Sequence, residues 1–350
     1  MSENASYTLL ASADWFPERF DAASANFSFI KADFATIAGQ TFLDHRWDRA
    51  ALEKRSASAS SLLSILPQQK PKLNFIWHTG FCCSTLLAQA LNDSANNLSL
   101  CEPQILVDAA DAKRGGLFVR RPAFSDIPKL IFHLLAPKRS PALAVTVKPA
   151  PAANVLLRDA ATQTAGAMLF LYSDCRSFLI STAKLGEEGR KYVRRMFIAL
   201  LGDGHMPAQW PPRKLLSLSD LELAALVWHM QIAEFVRSWR LVQARARSLD
   251  CDAFLANPLE TLTRLDEFLS LNMGSEKLAE LVAGPLFRQN AKDPNVSLDS
   301  GLRREQNEAI ARQLGPDLDR IVSQSYEICP STPRGAPLPN PLITIDKKYI

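Results

Sequence analysis

Short apolar runs, each about as long as one buried strand, alternate with amphipathic stretches from residue 73 onward. Leu73-Asn74-Phe75-Ile76-Trp77 reads as a strand, and Ser84 to Leu91 reads as a helix whose Leu86, Leu87, Ala90 and Leu91 share one face. Leu98 to Cys101 is a strand end before Glu102-Pro103. Leu143 to Val147 is a further run with β-branched residues, and Ala167 to Tyr172 leads into a helix from Arg176 to Lys184. Ser248 to Leu255 reads as the last strand. A helix then opens at Asn257-Pro258, where Asn caps and Pro suits the first turn. Longer helical patterns fill 187–201, 218–247 and 302–325. Buried strands alternating with helices predict a three-layer α/β/α fold with a central, mainly parallel sheet.

Residues 1–70 carry no clear period. Their aromatics, Trp15, Phe16, Phe20, Phe27, Phe29 and Phe34, are costly to leave in water, so the segment is expected to be an N-terminal extension packed on the main domain. The main domain is expected over 71–329. Residues 330–350, with Pro330, Pro333, Pro337, Pro339 and Pro341, read as an extended proline-rich tail.

Composition narrows the classes. With 47% hydrophobic residues the chain is not disordered as a whole, and a formal charge of +4, from 40 Lys plus Arg against 36 Asp plus Glu, gives no reason to expect a nucleic-acid partner. The six cysteines include no CxxC pair, which favours a reducing compartment. Met1 to Pro17 lacks the basic start of a secretory signal, and no uncharged apolar run nears the roughly 20 residues of a membrane helix. A soluble, cytoplasmic protein of unspecified oligomeric state is the expectation.

Candidate chemistry lies first in the loop after the first strand of the main domain, the usual anion cradle of an open α/β sheet. It reads His78-Thr79-Gly80-Phe81-Cys82-Cys83-Ser84-Thr85-Leu86-Leu87. Backbone N–H groups at a helix start, with the Ser84 and Thr85 hydroxyls, suit a phosphate or sulfate. No Gly-Lys pair precedes Ser84, so the loop is not a Walker A motif, and it is not a GxGxxG fingerprint. Cys82-Cys83 as a nucleophile lacks an accompanying His/Asn constellation, and His78 with either Cys as a metal site lacks a second ligand pair.

Gly80 to Leu87 resembles, without a gap, the 5′-phosphosulfate loop of the sulfotransferase superfamily, Pro-(Lys or Arg)-Ser-Gly-Thr-Thr-(Trp or Leu)-Leu. Further matches follow in the family's order and extend the resemblance over about residues 73–290. Leu98-Ser99-Leu100-Cys101-Glu102-Pro103 is similar to the segment bearing the base that accepts the acceptor's proton. Val145-Thr146-Val147-Lys148-Pro149 resembles the strand end whose Lys meets charge on the transferred group. Leu169 to Tyr172 with Ser173 to Ser181 looks like the 3′-phosphate strand and helix, and Leu249 to Pro258 through Phe268-Leu269 resembles a further family segment that speaks for fold.

The resemblance implies a P-loop-like sulfotransferase. Its co-substrate would be 3′-phosphoadenosine-5′-phosphosulfate, with no metal, and its acceptor a hydroxyl of a small molecule, lipid or sugar. Glu102 and Lys148 are the implied catalytic residues. Gly80, Phe81, Cys82, Cys83, Ser84, Thr85, Ser173, Arg176, Ser181 and Lys292 are the implied donor-binding residues. Phe81 and Ser173 stand where the family has basic residues, and Arg176, or Arg190 with Arg194, are the candidates to replace the second. A nucleotide- or anion-binding protein without catalysis is the alternative, and the missing Gly-Lys disfavours a P-loop kinase.

Overall fold

Successive residues of Asn74–His78 point to opposite sides of a sheet and are buried on both. In the computed structural model, Phe75 and Trp77 join one apolar cluster and Ile76 another. Phe170 and its neighbours Leu169 and Leu171 divide in the same way. A strand covered on both faces needs apolar side chains at every position, which is why these runs are continuous rather than alternating. The structure describes every residue except 1–2, 137–142, 206–212, 214–215, 291–292, 298–299, 331, 335–337 and 345–350.

The central sheet has five parallel strands: β4 (Asn74–His78), β5 (Asn97–Cys101), β6 (Ala144–Lys148), β7 (Met168–Tyr172) and β8 (Ala246–Asp250), in the order β5-β6-β4-β7-β8. Helices cover both faces, giving the three-layer α/β/α architecture. Leu86 and Leu87 of helix Ser84–Ala90 belong to the Ile76 cluster, whereas Phe178, Phe235 and Trp239 belong to the Phe75 cluster on the opposite face. Because β4 is central, the chain leaves it toward β5 and later returns past it to β7. That reversal opens a crevice at the carboxyl ends of β6, β4 and β7.

The N-terminal segment is regular where the sequence reads as aperiodic. β1 (Trp15–Asp21), β2 (Asn26–Lys31) and β3 (Lys54–Ser58) form an antiparallel sheet. β1 hides its period because its register shifts between Pro17 and Arg19, and β3, Lys-Arg-Ser-Ala-Ser, buries only Ala57. Phe27 and Phe29 are wholly buried and share the Phe75 cluster. The loop after β2 is tied to the end of β5, since Leu43 N–H donates to the Cys101 carbonyl at 2.8 Å and Gln104 N–H to the Leu43 carbonyl at 3.1 Å.

Other boundaries move for local reasons. The strand expected over 248–255 ends at Asp250, whose carboxylate accepts from the N–H groups of Asp252 and Ala253 and so starts helix Cys251–Ala256. The helical pattern over 302–325 divides into Ser300–Leu314 and Pro316–Ile328 at Gly315, which has φ +58°, and Pro316. Helix Asp220–Val242 starts with a Ser219/Glu222 capping box. The proline-rich tail docks on the free edge of β8: Ser248 N–H donates to the Asn340 carbonyl at 3.1 Å and Leu342 N–H to the Ser248 carbonyl at 2.7 Å. Proline, which cannot donate, fits only such an edge. No helix among the described residues is long and apolar enough to cross a membrane.

Candidate active site

The carboxyl ends of β5 and β6 bring Glu102 and Lys148 together. Glu102 N–H donates to the Lys148 carbonyl at 2.7 Å, which pins the residue after β5 in a left-handed conformation, φ +54°. The Lys148 ammonium, completely buried, donates to Glu102 Oε1 at 2.5 Å. The other carboxylate oxygen, Oε2, accepts from Arg46 Nη2 at 2.9 Å. Arg46 comes from the N-terminal segment, where its guanidinium lies 3.3 Å from the centre of the Phe42 ring and also holds Asp44. The Leu43–Cys101 bond sets it there. Burial is the largest single influence and works against the Lys148 charge, yet with the Glu102 carboxylate beside it as the main opposing influence the ammonium stays above its ordinary range.

His78, the last residue of β4, links this pair to the loop. Gly80 N–H donates to its Nδ1 at 3.1 Å, which makes Nδ1 the acceptor and leaves the proton on Nε2, donated to the Pro149 carbonyl at 2.9 Å. Ser84 Oγ lies 3.2 Å from the same Nδ1, and the Lys148 ammonium lies 3.4 Å from Nε2. One buried imidazole therefore touches the start of the loop, the first turn of its helix and the end of β6.

The loop itself turns through left-handed backbone at Gly80 (φ +83°), Phe81 (φ +53°) and Cys83 (φ +58°). For a phenylalanine this is strained, and packing holds it: its ring meets Phe178 edge-on at 5.4 Å and Tyr192 at 5.0 Å. Behind it, the Gln231 amide donates to the Thr79 carbonyl at 3.0 Å, and the Asn154 amide donates to the His78 carbonyl at 3.2 Å and to Gln231 Oε1 at 3.4 Å. These two buried side chains hold the carbonyls from which the left-handed run departs. Ser84 and Thr85 are buried in the first turn of their helix. Burial pushes the Cys82 thiol up to about 11, so it stays protonated at neutral pH and is a poor nucleophile.

The remaining residues expected at the donor site lie around the same edge or apart from it. Ser173 follows β7 and is buried, its carbonyl accepting from Trp228 Nε1 at 2.8 Å and its hydroxyl without a partner among the described residues. Ser181 is half-buried on helix Cys175–Lys184. Arg176 is paired with Asp319 at 3.2 Å, and Arg194 and Arg190 with Asp220 at 2.7 and 3.9 Å. Lys292 lies outside the described residues. Among the described residues no cluster of three or more His, Cys, Asp or Glu is arranged to hold a metal.

Residue patterns alone miss Arg46, Asn154, Gln231 and Tyr192 as parts of this site, and place His78 in the loop with no role beyond a disfavoured metal ligand. His78 carries a usable signal, a polar residue closing an apolar strand. So does Gln231, set among Trp228, Met230 and Ile232 on one helix. Arg46 carries none, because only the docking of the N-terminal segment brings it near.

No protein-family model matches the chain, and no curated protein does. Among solved structures it is similar to a "Sulfotransferase Domain from the Curacin Biosynthetic Pathway", at 16% identity over 73% of this chain and 98% of that one, with a TM-score of 0.41.

Proposed function

We propose that this chain is a sulfotransferase that moves a sulfuryl group from 3′-phosphoadenosine-5′-phosphosulfate to a hydroxyl of a small-molecule, lipid or sugar acceptor. The observation that carries the reading is the Lys148–Glu102 pair, 2.5 Å apart at the carboxyl edge of the sheet, with the ammonium 3.4 Å from the His78 ring whose Nδ1 accepts from the Gly80 N–H of the 80–85 loop. Glu102 is the less buried partner, its side chain 15% exposed against 0% for Lys148, so an acceptor hydroxyl meets the carboxylate first.

In the transfer, the acceptor oxygen forms a bond to sulfur as the bond from sulfur to the 5′-phosphate oxygen breaks and its electron pair leaves with the nucleotide. The acceptor proton passes to Glu102. A protonated Glu102 no longer neutralises Lys148, whose ammonium then stabilises the sulfuryl oxygens as charge moves across them. Arg46 keeps its hold on Oε2 and orients the carboxylate. The loop Gly80, Phe81, Cys82, Cys83, Ser84 and Thr85 receives the 5′ end of the donor, and Ser173, Ser181, Arg176 and Lys292 serve the rest of it. Catalysis is by positioning and charge, as in phosphoryl transfer.

The alternative, anion or nucleotide binding without transfer, is favoured by one observation: Phe81 is held among aromatic rings and brings no cation to the leaving phosphate. Calorimetric titration with 3′-phosphoadenosine 5′-phosphate and, in parallel, ATP tests both. Selective binding of the first together with transfer to an alcohol is expected. Binding of neither overturns the sulfotransferase reading, and tight binding without transfer to any acceptor supports the alternative.

A further inference from the structure

A hydroxyl buried without a hydrogen bond costs about 1–3 kcal/mol, so folded chains rarely keep one unless something else completes it. Tyr192, on helix Gly186–Gly202, has such a hydroxyl: its oxygen is buried and has no partner among the described residues. Its place is specific. A Cβ added to Gly80, the first residue of the loop's left-handed run, would sit 2.7 Å from the Tyr192 oxygen. Its ring is fixed edge-on against Phe81 at 5.0 Å, so the hydroxyl cannot swing away to solvent without breaking the aromatic cluster. Burial also pushes its pKa up, which keeps the group a donor at any physiological pH.

A second unpaired buried hydroxyl lies just past a strand end at the same edge, Ser173 Oγ after β7. Elsewhere around the loop the polar groups are matched in pairs, as the Gln231–Thr79, Asn154–His78 and Gly80–His78 bonds show. Satisfied groups behind the loop with unsatisfied hydroxyls beside it are what a site for a ligand rich in acceptors requires.

We propose that the Tyr192 hydroxyl is a ligand contact, donating a hydrogen bond to a tetrahedral oxyanion of the phosphate or sulfate-ester class held over Gly80 and Phe81. The inference rests on the anion-binding reading of the 80–85 loop and adds a donor from a helix that none of the sequence motifs includes. It also gives Gly80 a reason beyond its φ, since any side chain there would occupy the space of the tyrosine oxygen. The hydroxyl takes the place beside the loop that a basic residue at Phe81 would otherwise serve, as a neutral donor in a site already holding Lys148 and Arg46.

The test is Tyr192→Phe in the full chain, which removes one oxygen and keeps the ring against Phe81. Titrations with 3′-phosphoadenosine 5′-phosphate and with inorganic sulfate and phosphate are run on both proteins, beside thermal unfolding without ligand. The expected result is about tenfold weaker binding by Tyr192→Phe, the loss of one hydrogen bond to a charged group, with an unliganded Tm equal to or above that of the parent. Equal affinities overturn the Tyr192 contact and leave the sulfotransferase reading standing. An unliganded Tm lowered by several degrees shows that the hydroxyl serves the fold and also overturns it. Tenfold weaker binding of the inorganic anions, with no binding of the nucleotide by the parent, keeps the Tyr192 contact and overturns the donor. No binding of any of the three by the parent overturns both.

Discussion

Lys148 and Glu102 meet at 2.5 Å across the ends of neighbouring parallel strands, with the ammonium wholly buried and the carboxylate reaching the surface between it and Arg46. The pair is asymmetric, and so are the consequences of breaking it. Glu102→Gln leaves a buried ammonium facing a neutral amide, whereas Lys148→Met leaves Glu102 with Arg46. We expect Glu102→Gln to cost about 3 kcal/mol in urea unfolding and Lys148→Met markedly less. Both should abolish transfer, but only Lys148→Met should much weaken nucleotide binding. Equal losses of stability and of binding would count against the assigned roles.

Cys83 stands where the resembling motif has Gly, and its backbone is left-handed at φ +58°. Cys83→Gly relieves strain of about 1–2 kcal/mol but returns part of it as unfolded-chain entropy. The expected net gain is about 0.5 kcal/mol in equilibrium unfolding, with unchanged anion affinity. A loss of stability would show that thiol packing against the helix-side cluster matters more than the backbone.

Gln231→Leu removes the donor to the Thr79 carbonyl and the acceptor for the Asn154 amide. An expected loss of about 1–3 kcal/mol accompanies the unpaired carbonyl. Because these bonds anchor the start of the loop, amide hydrogen exchange should speed up most at residues 79–83. A uniform acceleration across the sheet would mean that Gln231 supports the core and not the loop.

Acid should weaken the fold through buried imidazoles. Burial alone lowers the His229 pKa to about 4, while its ordinary value is 6.5. Between those values the unfolded chain binds the proton and the folded chain does not, so this contribution is complete above pH 6.5 and is lost as pH falls toward 4. His205, lowered to about 4 chiefly by burial, acts in the same direction. Asp250, whose carboxyl burial pushes up to about 6, acts oppositely, because the folded chain holds its proton first. His229→Gln should therefore lose less stability than the parent between pH 6.5 and 4, by an amount on the order of 3 kcal/mol. Parallel pH curves for the two proteins would show that His229 is not the sensitive group.

Much of the sheet is legible in the residues because each of its strands is buried on both faces. Continuous apolar runs such as Leu169-Phe170-Leu171 can be nothing else of that length beside turn residues. The last strand is misread at its end because Asp250 serves as a cap, a side-chain to backbone contact that apolar periodicity does not record. β3 is illegible because one buried Ala57 and its pairing with β2 define it, not its own composition.

The order of residues along the chain determines the strand, loop and helix at 74–90, the chemistry of a loop rich in small polar groups, and the placing of Glu102 and Lys148 at strand ends. These follow from local periodicity and from residue types within a few positions of each other. The tertiary structure alone decides that Arg46 shares Glu102 with Lys148, that Gln231 and Asn154 hold the loop's carbonyls, and that Tyr192 faces Gly80. Those contacts join residues dozens to more than a hundred positions apart, through the folding of an antiparallel sheet and long helices onto a parallel one. Their energies come from burying charged and polar groups in matched sets, which depends on where whole elements dock and leaves no period in the sequence.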